Sequence, residues 1–109
     1  MREWHSACKL YIYLDESQRI HKRSALDYLA SRAKEASLGM TVFRGIEGIG
    51  SHHHLHRERI LSLSDDLPIV IVLIDTAEKI DSFLDSLESH IELFFVTKEP
   101  VEVLNRRMQ

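Results

Sequence analysis

The chain has 109 residues, 44% hydrophobic and 28% charged, enough for one domain with one core and too little for two. Its 14 basic and 17 acidic side chains leave a net charge of −3 with histidines neutral. No basic stripe emerges to neutralise phosphates, which argues against a nucleic-acid binder.

In chain order, residues 8–14 come first, with Cys8, Leu10, Ile12 and Leu14 alternating against Lys9, Tyr11 and Tyr13. That period of two predicts a strand. Lys9 interrupts this early apolar run and no small-residue cleavage site follows, so no signal peptide is expected. Cys8 is the one cysteine. It excludes an internal disulfide, fits a reducing compartment and reads as a packed thiol rather than a nucleophile. Asp15-Glu16-Ser17-Gln18 reads as a polar turn. Ser24, with Asp27 three residues on, resembles a capping box. Leu26, Leu29, Ala30 and Ala33 follow at helical spacing, and Gly39 is placed to end the helix as a left-handed cap.

Residues 40–44 form a short β-type run. Residues 67–74 are apolar at nearly every position and rich in β-branched side chains, the composition of a buried strand. Thr76 is the expected N-cap of a second helix, with Glu78 complementing its dipole and Ile80, Phe83, Leu84 and Leu87 as its apolar stripe. Residues 93–97 predict a last strand that Val101 and Val103 extend past Pro100, before a basic, frayed end at 105–109. No stretch reaches the roughly 18 apolar residues of a membrane span. The expectation is a cytoplasmic protein without membrane insertion.

The element order is β-α-β-(long loop)-β-α-β, with one domain over residues 1–109. It predicts an α+β, ferredoxin-like βαββαβ fold: a four-stranded antiparallel sheet with two helices on one face. In that architecture the strands should alternate apolar and polar, because one sheet face is left to solvent. Residues 69–74 and 93–96 do not, and Tyr11 and Tyr13 enrich the supposedly open face. Covering that face with other copies of the chain is the expected solution, since each Ile or Leu left wet forgoes about 1.5–3 kcal/mol.

The long connection, about residues 45–67, is roughly five times a usual hairpin loop. It holds three of the four glycines, Gly45, Gly48 and Gly50, and four of the seven histidines, His52, His53, His54 and His56. Closely spaced glycines let a backbone turn with positive φ or approach a ligand. Function is expected on such a loop, held by a small scaffold.

The run Arg44-Gly45-Ile46-Glu47-Gly48-Ile49-Gly50, then Leu63-Ser64-Asp65-Asp66-Leu67-Pro68 before an apolar strand, and the ending Glu99-Pro100-Val101-Glu102-Val103 resemble the uncharacterised PII-like signalling proteins. These are small relatives of the nitrogen-regulatory PII family. The resemblance implies a homotrimer whose sheets pack inward. In PII proteins the connection between the second and third strands is a mobile loop that docks on target proteins, and adenine nucleotides bind in intersubunit clefts at its base. Carried across, Arg44, Gly45, Ile46, Glu47, Gly48 and Gly50 would form the loop base. Residues 51–63 would be the docking portion, with His52, Leu55, Arg57 and Arg59 meeting a target protein. PII proteins place a second glycine-rich segment with a lysine before the last strand; here that position holds Ser89-His90-Ile91-Glu92. Phosphate donors would instead come from side chains such as Arg44, Lys98, Arg106 and Arg107.

The histidine run admits a second reading, a metal-binding or metal-responsive protein in which His52, His53, His54 and His56 are candidate ligands for a divalent ion such as Zn²⁺. In an extended segment His52, His54 and His56 project to one side at roughly 7 Å, which needs a turn or symmetry mates to close on one ion. A third reading is an enzyme. Asp65 and Asp66 more often make a capped turn than an acid/base pair, and no nucleophile and base stand together. The favoured expectation is therefore a non-enzymatic regulatory protein with no required cofactor, an adenine nucleotide as its effector and an unidentified target protein as its partner.

Overall fold

The structure is a computed structural model, described over residues 1–46 and 66–104. The first strand, β1 (His5–Asp15), runs through the middle of the sheet, and its alternation is reproduced side chain by side chain. Cys8, Leu10, Ile12 and Leu14 are buried, whereas Lys9, Tyr11 and Tyr13 are half-buried. After a tight turn come two short strands that pair with each other, β2 (Arg19–Ile20) and β3 (Arg23–Ser24), a hairpin the residue pattern does not announce. Then follow α1 (Ala25–Glu35), β4 (Thr41–Arg44), β5 (Pro68–Asp75), α2 (Ala77–Ser86), a 3₁₀ turn (Glu88–Leu93) and β6 (Phe95–Val103). The sheet order is β4-β5-β1-β6, with every neighbouring pair antiparallel. This is the ferredoxin-like arrangement expected from the element order.

Both helices lie on one sheet face. Ala25, Tyr28, Leu29 and Ala33 of α1, with Ile80 and Phe83 of α2 and Leu87 beyond it, share one cluster with Leu10, Ile12, Leu14, Ile69, Ile71 and Leu73. Register puts Leu10 opposite Leu73, Ile12 opposite Ile71 and Leu14 opposite Ile69, so β1 and β5 supply a continuous apolar floor. The helix stripe of α1 is shifted from expectation: Tyr28 and Ala25 are buried, and Leu26 and Ala30 only partly so. Both N-caps are as predicted. Ser24 Oγ accepts from the Asp27 amide at 3.3 Å and Thr76 Oγ1 from the Lys79 amide at 3.2 Å, relieving N–H groups that have no partner inside the helix.

Two expectations are corrected. Gly39 does not cap α1; the left-handed residue is Ser37, with φ 58°. The Ser37 amide donates to Lys34 O at 3.1 Å and the Leu38 amide to Ala33 O at 2.9 Å, the paired bonds of a Schellman ending in which buried Leu38 is the apolar residue that follows. The last strand also starts later than predicted. Leu93 and Phe94 belong to the 3₁₀ turn and its cap, where Phe94 is buried and Leu93 is exposed. The predicted extension past Pro100 is present, and Pro100 sits on an edge strand, where a missing N–H is tolerated.

The opposite sheet face carries no helix. Lys9, Tyr11, Thr41, Phe43, Val70, Val72 and Ile74 line a shallow open trough there. Phe43 and Phe95 are 58% and 67% exposed. Tyr13 stacks at 6.3 Å on Tyr11 and meets Phe95 at 5.4 Å between ring centres. The non-alternating strands thus put apolar side chains on both faces.

Candidate functional site

The two ends of the long connection leave from β4 and enter β5 side by side, and short polar contacts fasten both. The Gly45 amide donates to Pro68 O at 2.7 Å. A Cβ built on Gly45 would lie 2.8 Å from Pro68 Cγ and 3.4 Å from Pro68 O, so this glycine answers a close approach rather than a positive φ. Ile46, the next residue, is 72% exposed.

The turn after β1 meets this base with the side chains of Glu16 and Ser17, and Gln18 reaches the segment before β6. Glu16 Oε2 accepts from Arg44 Nε at 2.6 Å, and Arg44 Nη2 pairs with the same carboxylate oxygen. Ser17 Oγ donates to Asp66 Oδ1 at 2.6 Å, and Gln18 Nε2 donates to Leu93 O at 2.9 Å. The Glu16 amide donates to Leu67 O at 2.9 Å, fixing the turn's backbone on the start of β5. The stretch 16–18 therefore touches both ends of the long connection and the 3₁₀ segment before β6. From sequence it reads as a polar turn and these contacts are missed, because partners 28 and 49 residues away leave no local signal.

The predicted site residues fall in three places. Arg44, Gly45 and Ile46 stand together at the loop base. Lys98 is remote from them. It lies opposite Leu10 on edge strand β6, whereas Arg44 is opposite Ile69 on the other edge, β4. Through Ile69, Arg44 aligns with Leu14, four positions along β1 from Leu10. Three strand spacings, on the order of 14 Å, add to that offset. Within one chain the two cations do not converge. Glu47, Gly48, Gly50, His52, His53, His54, Leu55, His56, Arg57, Arg59, Asp65, Arg106 and Arg107 lie outside the described residues. Among the described residues no group of three or more His, Cys, Asp or Glu could hold a metal ion, and no helix is long and apolar enough to cross a membrane.

A second cluster sits on the helix side. The Tyr28 hydroxyl is 3.0 Å from His90 Nδ1, the His21 ring meets His90 edge-on at 5.6 Å, and Arg32 lies over Tyr28 at 5.5 Å. His90 is in the 3₁₀ segment that precedes β6. Its backbone follows a turn at Glu88, with φ 51°, and the His90 amide donates to Leu87 O at 3.0 Å.

Sheet order, one-sided helices and the long connection between β4 and β5 define a ferredoxin-like domain of the PII type. The chain belongs to the DUF190 family (Uncharacterized ACR, COG1993), whose model matches residues 7–103. It is 37% identical over 97 residues to a UPF0166 protein of Aquifex aeolicus (strain VF5), covering 87% of this chain and 90% of that one. Among solved structures it resembles CPII, a nitrogen regulatory PII-like protein from Thiomonas intermedia K12 bound to ADP, AMP and bicarbonate. That match has a TM-score of 0.71 and 21% identity, over 94% of this chain and 92% of CPII. A protein of Thermus thermophilus classed with PII-like signalling proteins matches with a TM-score of 0.64 and 19% identity, over 94% and 93% of the two chains. These likenesses establish the fold.

Proposed function

We propose that this protein is a non-enzymatic, PII-like regulatory protein that works as a homotrimer. In this reading an adenine nucleotide binds between subunits at the base of the long connection, and residues 51–63 meet a target protein. The observation that carries it is the uncovered apolar sheet face, where Tyr11, Tyr13, Phe43, Val70, Val72, Ile74 and Phe95 stand without a helix over them. Contiguous apolar patches of this kind mark interaction surfaces. Three sheets packed face inward would cover it.

The same assembly gives the remote cations a use. Arg44 and Lys98 lie on opposite edges of the sheet, so only neighbouring copies could bring one edge's donors to the other's. Among the described residues the Gly45 and His90 amides are already bonded to Pro68 and Leu87, so in this reading the Arg44 and Lys98 side chains supply phosphate contacts. Similarity in fold to CPII, whose structures hold ADP and AMP, supports adenine nucleotides as the class to try first. An effector that favours one state of the 51–63 segment would shift its affinity for the partner by no more than its own differential affinity for the two states.

The test is calorimetric titration of the oligomer with ATP, ADP, AMP and cyclic nucleotides, alongside a solution mass. Saturable heat at one site per chain, from a particle of three chains, is the expected result. Flat traces with all of them would remove the nucleotide reading, and a monomer at micromolar concentration would remove the cleft.

A further inference from the structure

We propose that Glu16 is a built-in counter-anion that a phosphate-bearing ligand must displace from Arg44, so that Glu16 sets how strongly the loop base takes anions. This rests on the reading of Arg44 as a ligand-binding residue. Two donors of the guanidinium, Nε and Nη2, are committed to one oxygen, Glu16 Oε2. The Arg44 side chain is 53% exposed and that of Glu16 22%. The arginine is thus the more exposed partner of the pair and the carboxylate the more buried one.

The carboxylate is delivered from a fixed backbone, since the Glu16 amide is bound to Leu67 O and the neighbouring Ser17 is bound to Asp66. An incoming anion therefore meets Arg44 already neutralised by Glu16, while the next residue of the turn, Ser17, holds the Asp66 carboxylate. A ligand with a single negative charge exchanges one carboxylate for another and gains little. A di- or trianionic phosphate group, with more oxygens for the guanidinium fork, gains charge-assisted bonds in the exchange. Glu16 lowers the fraction of arginine ready to bind, and apparent affinity falls with that fraction.

The experiment titrates inorganic pyrophosphate, ADP and acetate into the native oligomer and into Glu16→Gln, Glu16→Asp and Arg44→Gln, with circular dichroism to verify folding. Glu16→Gln should bind pyrophosphate and ADP about 2- to 5-fold more tightly, the scale of releasing one exposed ion pair. Glu16→Asp, which keeps the charge but shortens its reach, should fall between Glu16→Gln and the native protein. Arg44→Gln should lose binding of both, and acetate should stay weak throughout. Unchanged or weaker binding by Glu16→Gln, with Arg44→Gln still defective, would overturn the proposal and leave the nucleotide reading standing. Tighter pyrophosphate without any ADP binding would do the reverse. Silence from Glu16→Gln with both probes would overturn both.

Discussion

Gly45 and Pro68 touch more closely than any side chain at position 45 would allow: the Gly45 amide is 2.7 Å from Pro68 O, and an added Cβ would come within 2.8 Å of Pro68 Cγ. The pyrrolidine ring is tied to its backbone and cannot swing away as a long side chain would. Gly45→Ala should therefore force β4 and β5 apart where the long connection leaves the sheet. The cost expected for overpacking is about 1–3 kcal/mol. Urea unfolding checks it, and an unchanged midpoint would mean that the ring shifts freely.

The exposed rings on the helix-free face give a cleaner handle on assembly than the core does. Phe43 and Phe95 are more than half exposed in the single chain, so a charge there costs the isolated domain little. Buried against another copy, the same charge would have no partner and would be strongly disfavoured. If the chain assembles as the proposed trimer, Phe43→Asp and Phe95→Asp should each lower the solution mass to that of one chain while leaving the circular dichroism spectrum unchanged. A variant that remains trimeric would place the interface elsewhere.

How far this fold can be read from residues alone depends on how local each signal is. The alternation of Cys8, Leu10, Ile12 and Leu14 and the caps Ser24 and Thr76 each rest on contacts within one element, and they are found as expected. The end of α1 misleads because Gly39, two residues beyond the true left-handed position, outweighs Ser37 as a candidate for it. Phe94 reads as part of a strand because an apolar pair looks β-like, although the 3₁₀ turn buries only one of the two. The glycine run draws notice to Arg44 and Gly45, which the structure places beside the start of β5 and the turn after β1. Glu16 is not, because an acid in a polar turn looks solvated until the chain brings Arg44 to it.

The Ser37 conformation carries its own prediction. A non-glycine residue at φ 58° keeps its Cβ close to the following carbonyl, a cost that glycine escapes. The two capping bonds, to Lys34 O and Ala33 O, use only backbone atoms and would survive the change. Ser37→Gly should therefore raise stability by about 0.5–1 kcal/mol, the lost side-chain strain exceeding the added freedom of the unfolded chain. Thermal unfolding measures this, and a lower midpoint would show that the serine side chain contributes something its backbone role does not explain.

Cys8 lies 7% exposed, on the side of β1 that faces the helices. Burial pushes its thiol above the ordinary value of 9.0; Lys98 pulls it back and Asp81 adds to the rise. A thiol whose pKa is higher folded than unfolded stabilises the fold fully below 9.0. That contribution is lost as pH climbs through the raised value, because the unfolded chain gives up its proton first. Two outcomes follow from one cause. Alkylation of Cys8 by iodoacetamide at about pH 8 should be at least about 10-fold slower in the native protein than in urea, since only the thiolate reacts and burial disfavours it. Cys8→Ala should also flatten part of the fall in stability above about pH 9, measured by urea midpoints at successive pH values. Equal alkylation rates in native and unfolded protein would mean that the β6 edge opens often enough to expose Cys8, and Pro100, which lies opposite it and cannot donate a ladder bond, is where that opening would begin.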